Sequence, residues 1–310
     1  MVMNKKNFND ISTNIGLVIS NHGNKVLIED QNRNEYLCYF KKNIGSIVTG
    51  DKVIWQRQKE DKTNIIVSVC ERKSLLERPS KFSKDKKPIA ANIDQIIIVI
   101  SVLPEPIEHY IDRYLIAAEY QAIRPILVIN KTDLINPSNI DYFMVLKERY
   151  KHIGYDVYEI SALFPEKFKF SLESVFRDKV SILVGQSGVG KSQITQAITN
   201  NKNIKIGDIS ESNKKGKHTT TTTKLYHIFD KSVIIDSPGI REFGLWDLPV
   251  EAIKNGFIEF HNYSSRCKFR NCLHTKNSVG CAVQEATMNG KIDTIRLNNY
   301  LRIIEERTQN

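Results

Sequence analysis

No stretch of this chain is long and apolar enough to span a bilayer. The longest apolar run, IIIVISVL at 96–103, falls far short of the roughly 18 to 20 residues that a membrane-crossing helix needs, and it reads as a buried strand. The N-terminus, MVMNKKNFND, lacks the apolar core of a secretory signal, so a cytoplasmic location without membrane association is expected. In that compartment the five cysteines stay reduced, which leaves metal binding as the leading explanation for any cluster of them. Internal repeats are also missing. Acidic residues are in short supply: 35 Asp plus Glu stand against 45 Lys plus Arg, a net charge of +10. That balance favours a polyanionic partner over an acidic small substrate.

What is present is an ordinary folding composition, 41% hydrophobic and 26% charged over 310 residues, enough for two or three domains. Residues 1–72, with a tail at 1–11, hold five short β-rich pieces, IGLVIS, KVLIED, EYLCYF, KVIWQR and NIIVSVC, separated by turn-rich segments such as NHGN and VTGD. Five short strands in so little chain fit a small closed barrel, with the oligonucleotide/oligosaccharide-binding (OB) fold as first candidate and an SH3-like barrel as the alternative. Residues 73–92 contain the basic ERPSKFSKDKKP and read as a solvated linker or a nucleic-acid contact. From 93 to 247 continuous apolar runs (DQIIIVIS, RPILVIN, YDVYEIS, VSILVG, SVIIDS) alternate with helical spacing at 109–122 and 139–152, the pattern of a mostly parallel α/β layer. Residues 248–310 read as helices around a cysteine cluster.

The segment GQSGVGKS supplies Gly185, Gln186, Ser187, Gly188, Val189, Gly190, Lys191 and Ser192 after a strand and at the start of an amphipathic helix. Glycines let backbone N–H groups close around phosphate, Lys191 adds charge at the β and γ phosphates, and Ser192 reaches Mg²⁺. Such a loop does not select a base. Asn130, Lys131, Thr132 and Asp133 spell N-K-x-D at the end of PILVIN. The Asp133 carboxylate accepts from guanine N1–H and its 2-amino group, and adenine offers no such amino donor. We expect Asp133 and Asn130 at the base, Lys131 packed over the ring, and Ser161 and Ala162 after another strand supporting guanine O6. Asp236, in IIDSPGI, holds Mg²⁺ through water, and the Gly239 N–H meets the γ-phosphate. Between these lies ESNKKGKHTTTTTK at 211–224, without a large apolar side chain, a first switch from which Thr219 or Thr220 closes on Mg²⁺.

The order of these motifs is base, base support, phosphate, first switch, second switch. Moving the front half of a usual GTPase to its back produces that order and leaves the sheet unchanged, because domain termini often lie close together. With ANIDQIIIVIS, NKTDL, GQSGVGKS, GKHTTTTTKLY, DSPGIREFGL and CKFRNC followed by His274, the chain resembles the circularly permuted ribosome small-subunit-dependent GTPase A family, also called RsgA or YjeQ. The resemblance implies a GTP hydrolase with an OB-like barrel, a permuted P-loop domain and a C-terminal zinc-binding helical domain. It also implies binding to the 30S ribosomal subunit and its 16S rRNA late in assembly, release of a maturation factor, and hydrolysis stimulated by the subunit; a monomer is expected. The apolar Ile240 follows Gly239 where Ras-like enzymes carry a water-orienting glutamine. The resemblance offers His218 in its place, as the catalytic residue that holds the attacking water; docking onto RNA is its other possible role. Two other functions stay open, a GTP-gated RNA-binding module with incidental hydrolysis and an ATP-using P-loop protein.

Cys267, Cys272, His274 and Cys281 form C-x4-C-x-H-x6-C, a soft tetrahedral set suited to one structural Zn²⁺, with a disulfide as the alternative. The family pattern has five residues between the histidine and the last cysteine, and this chain has the six of TKNSVG. Cys38 and Cys70 fall in expected barrel strands and are expected in the core. Because base recognition comes first, the chain leaves the GTPase domain just after DSPGI and enters the zinc domain almost without a linker. The motif order is thereby expected to wire nucleotide state to grip on the ribosome.

Overall fold

The computed structural model describes residues 14–58, 62–79, 86–199, 223–229, 231–236 and 248–308. Five strands open the chain: β1 (Asn14–Asn21), β2 (Lys25–Glu29), β3 (Glu35–Phe40), β4 (Lys52–Arg57) and β5 (Asn64–Val69). They close in the order β1-β2-β3-β5-β4 and back to β1, with β3 parallel to β5. That closure is the OB topology and decides against an SH3-like barrel. Alternating inward residues Val18, Val26, Ile28, Cys38, Val53, Trp55 and Ile66 fill the interior.

The stretch read as a linker carries an antiparallel ribbon, β6 (Leu75–Pro79) with β7 (Lys86–Ala91). Its buried Leu76, Ala90 and Ala91 account for its order. Each strand of the ribbon has one ladder partner, which is the setting where proline is tolerated.

The α/β layer follows as β8 (Gln95–Ser101), α1 (Glu108–Tyr120), β9 (Arg124–Asn130), α2 (Ile140–Ile153), β10 (Asp156–Glu159), α3 (Pro165–Phe176), β11 (Val180–Val184), α4 (Lys191–Thr199), β12 (Lys224–His227) and β13 (Val233–Asp236). Its sheet runs β10-β9-β8-β11-β13-β12, parallel throughout except β12 against β13. Strand periodicity sorts the apolar run cleanly. Ile96, Ile98 and Ile100 face the side covered by α1 and α2, while Ile97 and Val99 face Leu172 and Phe176 of α3 and Ile194 and Ile198 of α4. Both faces are covered, so the strands read as unbroken hydrophobic runs.

The C-terminal part contains α5 (Val250–Gly256), α6 (His261–Ser264), α7 (Ala282–Met288) and α8 (Thr294–Thr308). Their core, with Phe257, Phe260 and Tyr300 at its centre, includes Ile116 of α1. Helix α1 is therefore buried on two sides, against the sheet and against this helical unit. A buried ionic group marks the junction. Arg296 on α8 binds Asp112 of α1 and, at 2.7 and 3.1 Å, Glu259; Asp112 also accepts from Tyr150 and Asn299, each at 2.7 Å. Burial alone opposes the charge of Arg296, yet Asp112 and Glu259 hold it protonated well above its ordinary value. No helix among the described residues is long and apolar enough to cross a membrane.

Candidate nucleotide site and metal centre

Because β8, β9, β10, β11 and β13 are parallel, their carboxyl ends lie along one edge of the sheet, the edge where open α/β sheets bind ligands. Asn130 ends β9, Ser161 and Ala162 follow β10, the loop at Gly185 follows β11 and Asp236 ends β13. Parts that are scattered along the sequence are in this way gathered at one place.

The phosphate loop is shaped by close approach. Gly185 has φ +140°, and a Cβ there would stand 2.1 Å from the Val99 carbonyl oxygen. Gly190, at φ +96°, leaves room for the Asn130 amide, which a Cβ would meet at 2.3 Å. No side chain fits at either position. Lys191 opens α4 with its ammonium donating to the Gly185 and Gln186 carbonyls, each at 2.7 Å. Ser192 is buried beside it, and Ser187 and Gly188 are exposed.

Asn130 is 0% exposed and bonded to protein through both ends of its amide. Its Nδ2 donates to the Val189 carbonyl at 2.8 Å, and its Oδ1 accepts the Ala162 N–H at 3.1 Å. A single side chain thus joins the N-K-x-D segment, the segment after β10 and the loop after β11. Lys131 adopts the left-handed conformation, φ 62°. Its ammonium donates to Leu103 at 2.6 Å and Gly188 at 2.7 Å, stretching its stem across the ground between the two loops. The Thr132 N–H donates to the Ile160 carbonyl at 3.1 Å, and Ser161 donates its hydroxyl to the Asp133 carboxylate.

Asp133 lies exposed at a cavity of about 280 Å³ lined by Thr132, Asp133, Ile160, Ser161, Phe164 and Lys167 among others. Phe164 and Lys167 were not expected there. The Lys167 ammonium lies 4.8 Å from the Phe164 ring centre, and neither residue belongs to a motif, so only the cavity reveals them. His218, Thr219, Thr220, Gly239 and the second-switch stretch at 237–247 lie outside the described residues.

The second constellation is in the C-terminal unit. The sulfurs of Cys267, Cys272 and Cys281 and one nitrogen of His274 all lie within 4.8 Å of one another. His274 Nδ1 is 3.3 Å from Cys281 Sγ and 3.6 Å from Cys267 Sγ, near the ~3.5 Å edge of a zinc tetrahedron built from Zn–S and Zn–N bonds. Ser264 donates its hydroxyl to the Phe260 carbonyl at 2.8 Å and is 3.4 Å from His274 Nε2. Its oxygen therefore accepts the Nε2 proton, and the bare Nδ1 is left facing the sulfurs.

Burial, with Lys254 nearby, pushes His274 down to about 4, keeping it neutral, and burial pushes the Cys281 thiol up to about 12. A thiol so placed ionises readily only against a cation. All four cysteine and histidine side chains fit a zinc ion, and the cysteines are free rather than bridged. The extra residue in TKNSVG is absorbed by a turn, with the Ser278 N–H donating to Thr275 at 2.9 Å and Gly280 at φ 65°. Cys38 is buried in the barrel core, whereas Cys70 follows the end of β5 and is only half-buried.

A family model described as RsgA GTPase matches residues 69–246. Two curated relatives, each a small ribosomal subunit biogenesis GTPase RsgA, come from Hahella chejuensis and Klebsiella pneumoniae. The first is 44% identical over 294 residues, 94% of this chain and 83% of the relative. The second is 43% identical over 304 residues, 96% of this chain and 85% of the relative. The crystal structure of YjeQ from Thermotoga maritima superposes with a TM-score of 0.78 at 30% identity, covering 96% of this chain and 99% of that one. The crystal structure of YloQ, a circularly permuted GTPase, gives 0.74 at 26% identity, with 98% of each covered.

Proposed function

The chain belongs to the RsgA GTPase family, and on that premise we propose that it is a GTPase of small ribosomal subunit biogenesis, hydrolysing GTP to GDP and phosphate. The observation that carries this reading is the Asn130 amide, bonded at once to Val189 and to Ala162. It supports a single nucleotide site assembled from motifs that come in permuted order.

In this reading Asp133 accepts from the guanine edge, Ser161 holds that carboxylate in place, and Lys131, Thr132 and Ala162 frame the base. Gly185, Gln186, Ser187, Gly188, Val189 and Gly190 turn their backbone toward the phosphates, and Lys191 adds positive charge. Ser192 and Asp236, with Thr219 or Thr220, would hold Mg²⁺, which when bound neutralises charge on the phosphate oxygens. Gly239 meets the γ-phosphate, and His218 orients the attacking water once the protein sits on the small subunit. Cys267, Cys272, His274 and Cys281 hold one structural Zn²⁺.

The division of labour follows the expected segments. Residues 1–72 and 248–310 grip the 30S subunit through its 16S rRNA, 93–247 turn over nucleotide, and 73–92 connect. The finer expectations, release of a maturation factor, a monomeric state and a cytoplasmic location, belong to the same proposal. GTP turnover measured with and without purified small subunits tests it. Stimulation by the subunit is expected, and its absence would leave a GTP-gated RNA-binding module.

A further inference from the structure

Strand β12 is held by the barrel at both of its ends. At the N-terminal end, Thr49, 1% exposed, donates its hydroxyl to the Thr223 carbonyl at 3.1 Å. At the C-terminal end, the Glu29 carboxylate, 6% exposed, lies 2.7 and 2.8 Å from His227 Nε2. Between these contacts Ser20 of β1 is level with Lys224, and Lys224 is level with Asp236 on β13. One row across three strands thus runs from the barrel to the carboxylate assigned to the phosphate end of the nucleotide. Beyond that row Leu17 of β1 pairs with Lys52 of β4 on this edge, so Glu29 and His227 meet through their side chains and not through the ladder.

Thr49 does not sit on a loose loop. Its carbonyl accepts the Ala91 N–H at 3.0 Å, the Gly50 N–H donates to Val18 at 2.9 Å, and the Asp51 carboxylate accepts the Val48 N–H at 2.8 Å. Arg72 locks the same carboxylate at 2.7 and 2.9 Å. A buried hydroxyl and a buried carboxylate are each costly to leave without partners. Both of these reach out of the barrel to backbone or side chain of one short strand. That strand has a single fully buried apolar side chain of its own, Leu225, so its register is set largely from outside.

We propose that Thr49 and Glu29 are positioning residues for GTP hydrolysis. By fixing β12 at Thr223 and His227, the barrel sets where the chain enters the sheet beside Asp236, and the small subunit, by binding the barrel, raises turnover through these two contacts. Neither residue touches nucleotide; each acts through its partner on β12. The inference rests on the GTPase reading of the site.

The test uses the full-length protein with purified small subunits and three variants. Thr49→Val keeps the shape and removes the hydroxyl, Thr49→Ser keeps the hydroxyl, and Glu29→Leu removes the carboxylate. Subunit affinity and turnover, free and at saturating subunit, are measured, the latter split into kcat and KM. Thr49→Val and Glu29→Leu should bind subunits and turn over unaided within about twofold of the parent, but lose about fivefold or more in stimulated kcat with KM little changed. Thr49→Ser should restore it, which loss of general stability would not predict. Parent-like stimulated kcat in Thr49→Val overturns the inference; if that variant fails to fold by circular dichroism, the same result in Glu29→Leu does so. A parent that small subunits do not stimulate would instead overturn the functional reading beneath it.

Discussion

Asn130 and Val189 are separated by 59 positions in the chain and joined by a 2.8 Å hydrogen bond from the Asn130 side-chain amide to the Val189 carbonyl. Gly190 makes that approach possible, since a Cβ there would collide with the same amide. The N-K-x-D segment and the GQSGVGKS loop are joined by this bond whatever their order along the chain, which is how a permuted sequence can keep them together.

Replacing Asn130 by Ala removes a donor and an acceptor that are both buried, leaving the Val189 carbonyl and Ala162 N–H without them. Unpaired buried groups of this kind cost ~1–3 kcal/mol each. Because the brace acts on the shape of the empty site, GTP and GDP should weaken alike, by about tenfold to a hundredfold. Titration with a fluorescent guanine nucleotide checks it; selective loss of GTP alone would contradict the brace.

Asp133→Asn turns an acceptor into a group that also donates, opposite the guanine N1–H and 2-amino donors. Guanine should lose at least about tenfold in affinity, since a site built for hydrogen bonds rejects a mismatched edge strongly. A xanthine nucleotide, which carries a carbonyl where guanine has the amino group, should gain relative to it. Competition between the two nucleotides on parent and variant reads this out, and retained guanine preference would remove Asp133 from the base.

The parallel strands and the grouping of Cys267, Cys272, His274 and Cys281 were legible because their signals are local. QIIIVIS is buried at every position, and a strand covered on both faces has no other way to look. KLYH was not legible as β12: it is four residues long with one buried side chain, and it becomes a strand through β13 on one side and β1 on the other. Asn130 was read as a base contact because its motif is read that way, whereas its bond to Val189 depends on a glycine and a carbonyl far along the chain. Arg296 is one of several charged residues on α8, and it is 1% exposed. Its partner Asp112 lies 184 positions away, and nothing within a helical turn announces the pair.

That pair yields a stability prediction. Arg296→Met leaves Asp112, 0% exposed, as a buried carboxylate without its cation, a loss of ~3–5 kcal/mol. Asp112→Asn combined with Arg296→Met removes the fully buried pair and leaves Glu259, its side chain 13% exposed, without the guanidinium, so it should recover part of the loss. Thermal melting of the two variants beside the parent checks the sign of the coupling. Additive losses would mean that the two side chains act independently.

The proposed zinc site should fail on acidification in a particular window. Burial holds the folded His274 at about 4, below the ~6.5 of an unfolded histidine. Between those values the unfolded chain binds a proton that the folded chain does not, so stability falls as pH drops from about 6.5 toward 4 and is flat with respect to this group above 6.5. The thiols add to the effect, since each ligand must be free of its proton to bind metal. Zinc release to a chromogenic chelator should steepen below pH 6.5, with hydrogen exchange rising over 250–308 and not over the barrel strands. Cys272→Ser should release zinc already at neutral pH and show the same local exchange, whereas Cys38→Ser should leave the metal in place. A zinc content unchanged in Cys272→Ser, or release that ignores pH across this window, would exclude the four-residue site.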